Sequence, residues 1–163
     1  IHRVDWRQGR GVVYDVAPRR RLVLDPLVSN VGHVVLLYSL KDPPFEPIAL
    51  SRFLVSFAAS GLPVTLVLNK ADLVSKAELD RRIQLCRSWG YDPIVLSCLD
   101  LKGIESVAKT LKNRISVIAG PSGTGKSSLI NCLRLGLHCD PSEQLSDWDD
   151  DDEDDDDEDE DDD

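Results

Sequence analysis

The sequence predicts an α/β fold: a parallel sheet covered by helices on both faces, with a small antiparallel β unit in front of it. Three observations carry that reading. From Val34 onward, continuous apolar runs alternate with helix-like segments, the rhythm of strands buried on both sides. Before Val34 the extended pieces are short and interrupted by Pro18, Pro26 and several glycines, as in hairpins. Near the end, Gly120-Pro121-Ser122-Gly123-Thr124-Gly125-Lys126-Ser127 lies between an apolar run and a helix-like stretch, the setting a phosphate-binding loop requires.

Taken in order, residues 11–16, 21–24 and 27–28 read as the last strands of a small β unit, too few to close a barrel by themselves. Val34-Val35-Leu36-Leu37-Tyr38-Ser39-Leu40 is a continuous strand, 48–60 a helix and 64–68 a second buried strand. A helix over 76–89, a strand over 93–97, a helix over 104–113, a strand over 115–119 and the helix after the phosphate loop complete the series. No internal repeat interrupts it. After Leu137 the pattern fades, and from Ser142 the composition cannot support a packed core.

The formal charge of −10 has to be divided before it says anything. Residues 149–163 are fifteen consecutive acids, which leaves fourteen acids against nineteen Lys and Arg in the rest, a balance of +5. The acidic run reads as a disordered, self-repelling tail. The body, with Arg3, Arg7, Arg10, Arg19, Arg20 and Arg21 gathered early, is compatible with a polyanionic partner. No apolar run approaches the ~20 residues of a helical membrane span, so no membrane partner is expected. Cys86, Cys98, Cys132 and Cys139 match neither zinc-ribbon nor C-x-x-C spacing and read as reduced thiols. With no Met in the chain, Ile1 is not an initiation site, and the sequence reads as a fragment or a processed product.

Residues 120–127 fit G-x-x-x-x-G-K-[ST]. Glycines at 120, 123 and 125 let the backbone curl so that successive N–H groups face phosphate oxygens, and the following helix adds the positive end of its dipole. Pro121, Ser122, Thr124 and Ser128 complete the cradle; Lys126 reaches the β and γ phosphates, and Ser127 offers its hydroxyl to Mg²⁺. A second constellation, Asn69-Lys70-Ala71-Asp72, follows the strand ending at Leu68, where α/β sheets place ligand groups. The Asp72 carboxylate can accept from the N1–H and N2 amine of guanine, donors that adenine lacks. Asn69 can support the loop and the O6/N7 side, and the Lys70 stem can lie across the ring. After the next strand, Ser97 and Cys98 offer a small side chain and backbone N–H groups for guanine O6. Both base-side elements thus precede the phosphate loop in the chain, an order a parallel sheet tolerates because strand neighbours depend on packing.

This order resembles the circularly permuted GTPases, most closely the RsgA/YjeQ family. The matching residues are Pro18-Arg19-Arg20, the run Pro26-Leu27-Val28-Ser29-Asn30-Val31-Gly32-His33, Asn69-Lys70-Ala71-Asp72, Ser97-Cys98 with Cys98 in the family's Ala position, and Gly120 through Asn131. The resemblance implies the end of an OB-type RNA-binding barrel over 1–33, part of a permuted GTPase domain over 34–138, and an acidic tail over 139–163. It also implies GTP or GDP with Mg²⁺ as ligands, and GTP hydrolysis coupled to biogenesis of the small ribosomal subunit through its rRNA, in the cytoplasm or a chloroplast. The family's Thr-bearing switch segment, its D-T-P-G element and its zinc-binding C-terminal domain find no match in the chain. Slow or absent turnover is therefore expected, with zinc confined to that unmatched region and no catalytic residue assigned. The competing expectation is a non-catalytic RNA-binding fragment working through the early basic hairpin; a P-loop kinase or ATPase is disfavoured by Asn69 to Asp72. The guanine reading requires that Asp72 and Lys126 converge on one edge of one sheet.

Overall fold

The computed structural model describes residues 3–7, 10–16, 18–20, 22–24 and 27–136. The acidic tail and the pair His138-Cys139 lie outside the described residues. Strands β1 (Arg3–Arg7) and β2 (Arg10–Asp15) pair antiparallel, as do β3 (Leu22–Leu24) and β4 (Leu27–Ser29). The early antiparallel pieces are therefore present, with β1 added to those read from sequence, and among the described residues they form two separate two-stranded sheets.

The main sheet contains β5 (His33–Ser39), β6 (Val64–Asn69), β7 (Ile94–Val95) and β8 (Ser116–Ala119), all parallel, in the order β7-β6-β5-β8. Crossover helices α1 (Pro47–Ala59), α2 (Lys76–Ser88) and α3 (Ile104–Leu111) connect them, and α4 (Lys126–Arg134) follows β8. Pro47 starts α1 at a position where its missing N–H costs nothing. At α2, Ser75 accepts from the Glu78 N–H at 3.3 Å, an N-cap worth about 1 kcal/mol.

Alternation along β5 sorts the core into two layers. Val34, Leu36 and Tyr38 pack with Leu50, Leu54 and Phe57 of α1 and Cys86 of α2. Val35 and Leu37 pack with Ile104 and Val107 of α3 and Leu129 and Cys132 of α4. Helices thus cover both faces, and every residue of β5 is buried. At its start, His33 is 1% exposed and bridges the sheet, with Nδ1 3.0 Å from Ser116 Oγ and Nε2 2.9 Å from Thr65 Oγ1.

The strand expected over 93–97 is shorter. Its ladder ends at Val95, and Ser97 instead pairs with Lys102 in an isolated antiparallel bridge. The chain must turn there because Gly103, at φ +80°, sits against β7, where a Cβ would lie 2.1 Å from the Val95 carbonyl oxygen.

Candidate functional site

Because β6, β5 and β8 are parallel neighbours, the loops leaving β6 and β8 emerge at the same edge, on either side of the end of β5. That edge brings together the two constellations expected from sequence. Asn69, 2% exposed, donates from Nδ2 to the Thr124 carbonyl at 2.8 Å, joining residues 55 positions apart. The contact depends on Gly125: a Cβ there would lie 2.4 Å from Asn69 Nδ2. Gly120 is equally constrained, since its Cβ would lie 2.1 Å from the Leu37 carbonyl oxygen of β5.

The phosphate loop has the conformation its glycines allow, with Gly120 at φ +138°, Gly123 at +78° and Gly125 at +96°. Thr124 is fully buried and its Oγ1 donates to the Pro121 carbonyl at 2.9 Å, closing the loop on itself. Lys126, at the first position of α4, donates from Nζ to the carbonyls of Gly120 and Pro121 at 2.9 and 2.7 Å, which folds its ammonium back over the loop. Ser122, Ser127 and Ser128 are exposed. Loop N–H groups, a lysine over the loop and a helix N-terminus form an anion site of the kind that holds nucleotide phosphates.

On the base side, Asp72 lies in the short 3₁₀ turn Ala71–Leu73. Its Oδ1 accepts from Ser97 Oγ at 2.7 Å, and Ser97 Oγ accepts from the Asp100 N–H at 3.1 Å. Ser97 is 1% exposed, so it fixes the carboxylate from below while lone pairs remain for other donors. Lys70 takes a left-handed conformation, φ 64°, and its Nζ donates to the Asp42 carbonyl. Cys98 packs against the apolar layer that contains Cys132 of α4, with the Asn69 side chain beside its thiol. Burial first, then the neighbouring Cys132, pushes its pKa up to about 11.

All of the residues expected from sequence therefore sit along one edge. Sequence reading missed the turn after β5. There the Asp42 carbonyl receives Lys70, and Pro43 Cδ lies 3.4 Å from where a Cβ on Gly123 would be. The only available signal was position, since the turn leaves the carboxyl end of a central strand. Cys132 was missed as a neighbour of the site for the same reason: its contact with Cys98 is non-local.

For Mg²⁺, the donor chemistry fits in a limited way. No group of three or more His, Cys, Asp or Glu able to hold a metal occurs among the described residues. The exposed Ser127 hydroxyl beside the loop offers one neutral oxygen, which suits an ion that takes its other ligands from phosphates and water. The cavity of about 360 Å³ beside Phe53 and Phe57 lies along α1 and includes no residue of this edge.

With that geometry in place, comparison with known proteins is informative. A model of the family described as RsgA GTPase matches residues 16–146. The chain is similar to a protein of Arabidopsis thaliana named small ribosomal subunit biogenesis GTPase RsgA 1, mitochondrial, at 45% identity over 131 residues, covering 80% of this chain and 30% of that protein. A protein of Nostoc named small ribosomal subunit biogenesis GTPase RsgA 1 is 44% identical over 133 residues, covering 82% and 36% respectively. Among solved structures, YjeQ from Thermotoga maritima superposes with a TM-score of 0.68 at 35% identity, covering 78% of this chain and 47% of that one. YloQ, described as a circularly permuted GTPase, superposes at 0.59 with 29% identity, covering 83% and 49%. The chain thus spans about a third of the length of these two curated relatives and about half of each solved one.

Proposed function

Since the chain belongs to the RsgA GTPase family, we propose that it binds guanine nucleotide along the carboxyl edge of its parallel sheet and works as a GTPase in small ribosomal subunit biogenesis. The observation that carries the reading is the 2.8 Å hydrogen bond from Asn69 to Thr124, which ties the base-side loop to the phosphate loop. In this reading the backbone of residues 120–128 cradles the phosphates, and the Lys126 ammonium exchanges its loop carbonyls for phosphate oxygens. Asp72, held by Ser97, accepts from guanine N1–H and N2, with Asn69, Lys70 and Cys98 around the ring. Mg²⁺, held by Ser127 and the nucleotide, would supply charge neutralisation of the phosphates.

The small ribosomal subunit as partner is supported by the names of the relatives, its rRNA as the contacted polyanion by the arginines gathered before residue 22, and an OB-type origin of residues 1–33 by the two antiparallel pairs. An organellar location is supported by the mitochondrial name of the Arabidopsis relative; a chloroplast location is compatible with the cyanobacterial relative. No helix among the described residues is long and apolar enough to cross a membrane.

Titration of fluorescent guanine and adenine nucleotides against the chain tests the reading. Guanine is expected to bind at least about a hundredfold more tightly, because a site built around donors rejects a base lacking them. Asp72→Asn exchanges an acceptor for a donor and moves the preference toward xanthine, whose C2 carries an oxygen. Lys126→Ala weakens all nucleotides alike. Equal affinity for guanine and adenine would falsify the assignment.

A further inference from the structure

The thiols of Cys98 and Cys132 meet beneath the site. They share one apolar layer, where Cys132 is 8% exposed and Cys98 packs against it from the loop after Ser97. Both are free, and the two thiols are close enough to act on each other electrostatically. We propose that these two cysteines are a modification site, closing to a disulfide that lowers affinity for nucleotide at the edge above them. The coupling rests on the guanine-nucleotide reading given above; the disulfide itself does not.

The consequence for the site follows from what Cys98 touches. Its chain neighbour Ser97 holds Asp72 at 2.7 Å, and its thiol lies beside Asn69, which holds Thr124 at 2.8 Å. Cys132 lies on α4, whose first residue is Lys126. Closing the pair to a covalent bond of about 2.05 Å draws the loop inward toward α4 and shifts Ser97 and Asn69 with it. Motion is available on the loop side, where Leu99 is 80% exposed and Leu101 46%.

The co-reactant is a small disulfide such as oxidised glutathione. The Cys98 thiolate attacks one of its sulfurs, and one glutathione thiolate leaves and takes up the proton. Cys132, deprotonated, then attacks the Cys98 sulfur of the mixed disulfide and expels the second glutathione. Two electrons pass from the protein thiols to the glutathione disulfide, and two glutathione thiols are released. Burial of Cys98 keeps its thiolate scarce at neutral pH, so the exchange is slow. Cys86 provides an internal control, since it is buried in the layer on the opposite face of the sheet.

The test is to incubate the chain with oxidised glutathione at about pH 8, map disulfides by mass spectrometry of peptides, and titrate fluorescent guanine nucleotide before and after. The expected product is a Cys98–Cys132 crosslink with affinity reduced about tenfold and restored by dithiothreitol. Cys132→Ser is expected to stop at a glutathione adduct on Cys98, with no internal crosslink. A crosslink through Cys86 or Cys139 in place of this pair, or none, overturns the proposal. So does a Cys98–Cys132 crosslink that leaves affinity unchanged. If the reduced chain binds no guanine nucleotide, the functional reading and this coupling fall together, and the crosslink map still reports on the thiol pair.

Discussion

The two ends of strand β5 show how one sheet serves two purposes. At the amino end, His33 closes three strands with both ring nitrogens partnered, through Thr65 on β6 and Ser116 on β8. At the carboxyl end, β5 is flanked by loops with positive φ at Gly120, Gly123, Gly125 and Lys70, and Asn69 keeps a buried Oδ1 without a hydrogen-bond partner. Buried polar groups are ordinarily satisfied, and exceptions in a native structure ask for a reason. The contrast teaches that the amino end is arranged to be stable and the carboxyl end to hold loops in a shape that packing alone would not select.

The largest expected effect breaks the carboxyl end. In Gly120→Ala the new methyl would lie 2.1 Å from the Leu37 carbonyl oxygen, a rigid part of the central strand. Either β8 separates from β5 or the loop reshapes, and a loss of about 3 kcal/mol in denaturant unfolding is expected, together with loss of nucleotide binding. Gly61→Ala is the matched control, since that glycine has φ +67° but nothing within 4 Å of the added methyl. It should lose only the cost of a left-handed residue, about 1 kcal/mol. Equal losses at the two positions would show that backbone conformation, and not the close approach to β5, is what Gly120 provides.

A smaller loss is expected at the amino end. His33→Ala leaves the Ser116 and Thr65 hydroxyls without their shared partner and opens a gap among three strands. About 2 kcal/mol of stability should disappear, read as a shift of the denaturation midpoint. Nucleotide affinity of the folded variant should not change, because His33 lies at the opposite end of β5. A parallel loss of affinity would show that the two ends are not independent.

The same contrast governs what could be read from the sequence. The parallel sheet was legible because β5 and β6 are continuous apolar runs, and the phosphate loop because its residues are consecutive. Asn69 to Asp72 was legible as a local motif, and its placement beside the loop followed from parallel strands. Strand β1 was passed over because Arg3, Asp5 and Arg7 make its short run look polar. The end of β7 was drawn too far because Leu96 and Ser97 continue the apolar pattern, while the close approach of Gly103 to Val95 turns the chain. The links from Lys70 to Asp42, from Cys98 to Cys132 and from His33 to its hydroxyls join residues with no fixed spacing between them. Nothing short of the fold reveals such pairs.

The smallest effect sharpens the comparison through pH. Burial, and then the positive charge of Arg114, lower the pKa of His33 below its ordinary value of 6.5. As pH falls through that value the unfolded chain takes up a proton that the folded chain still refuses. The unfolded state then binds more protons, and stability declines with falling pH. The contribution is fully present above about pH 6.5 and is lost as pH drops toward the folded-state value. Denaturation at about pH 7.5 and about pH 5.5 should therefore show a larger acid loss for the native chain than for His33→Gln, whose amide can bond to hydroxyls but does not titrate. The other histidines, His2 and His138, lie outside the described residues and are common to both proteins. Their titration, like that of the carboxylates, cancels in the difference, so identical acid losses in the two proteins would mean that the amino end carries no pH-dependent stability.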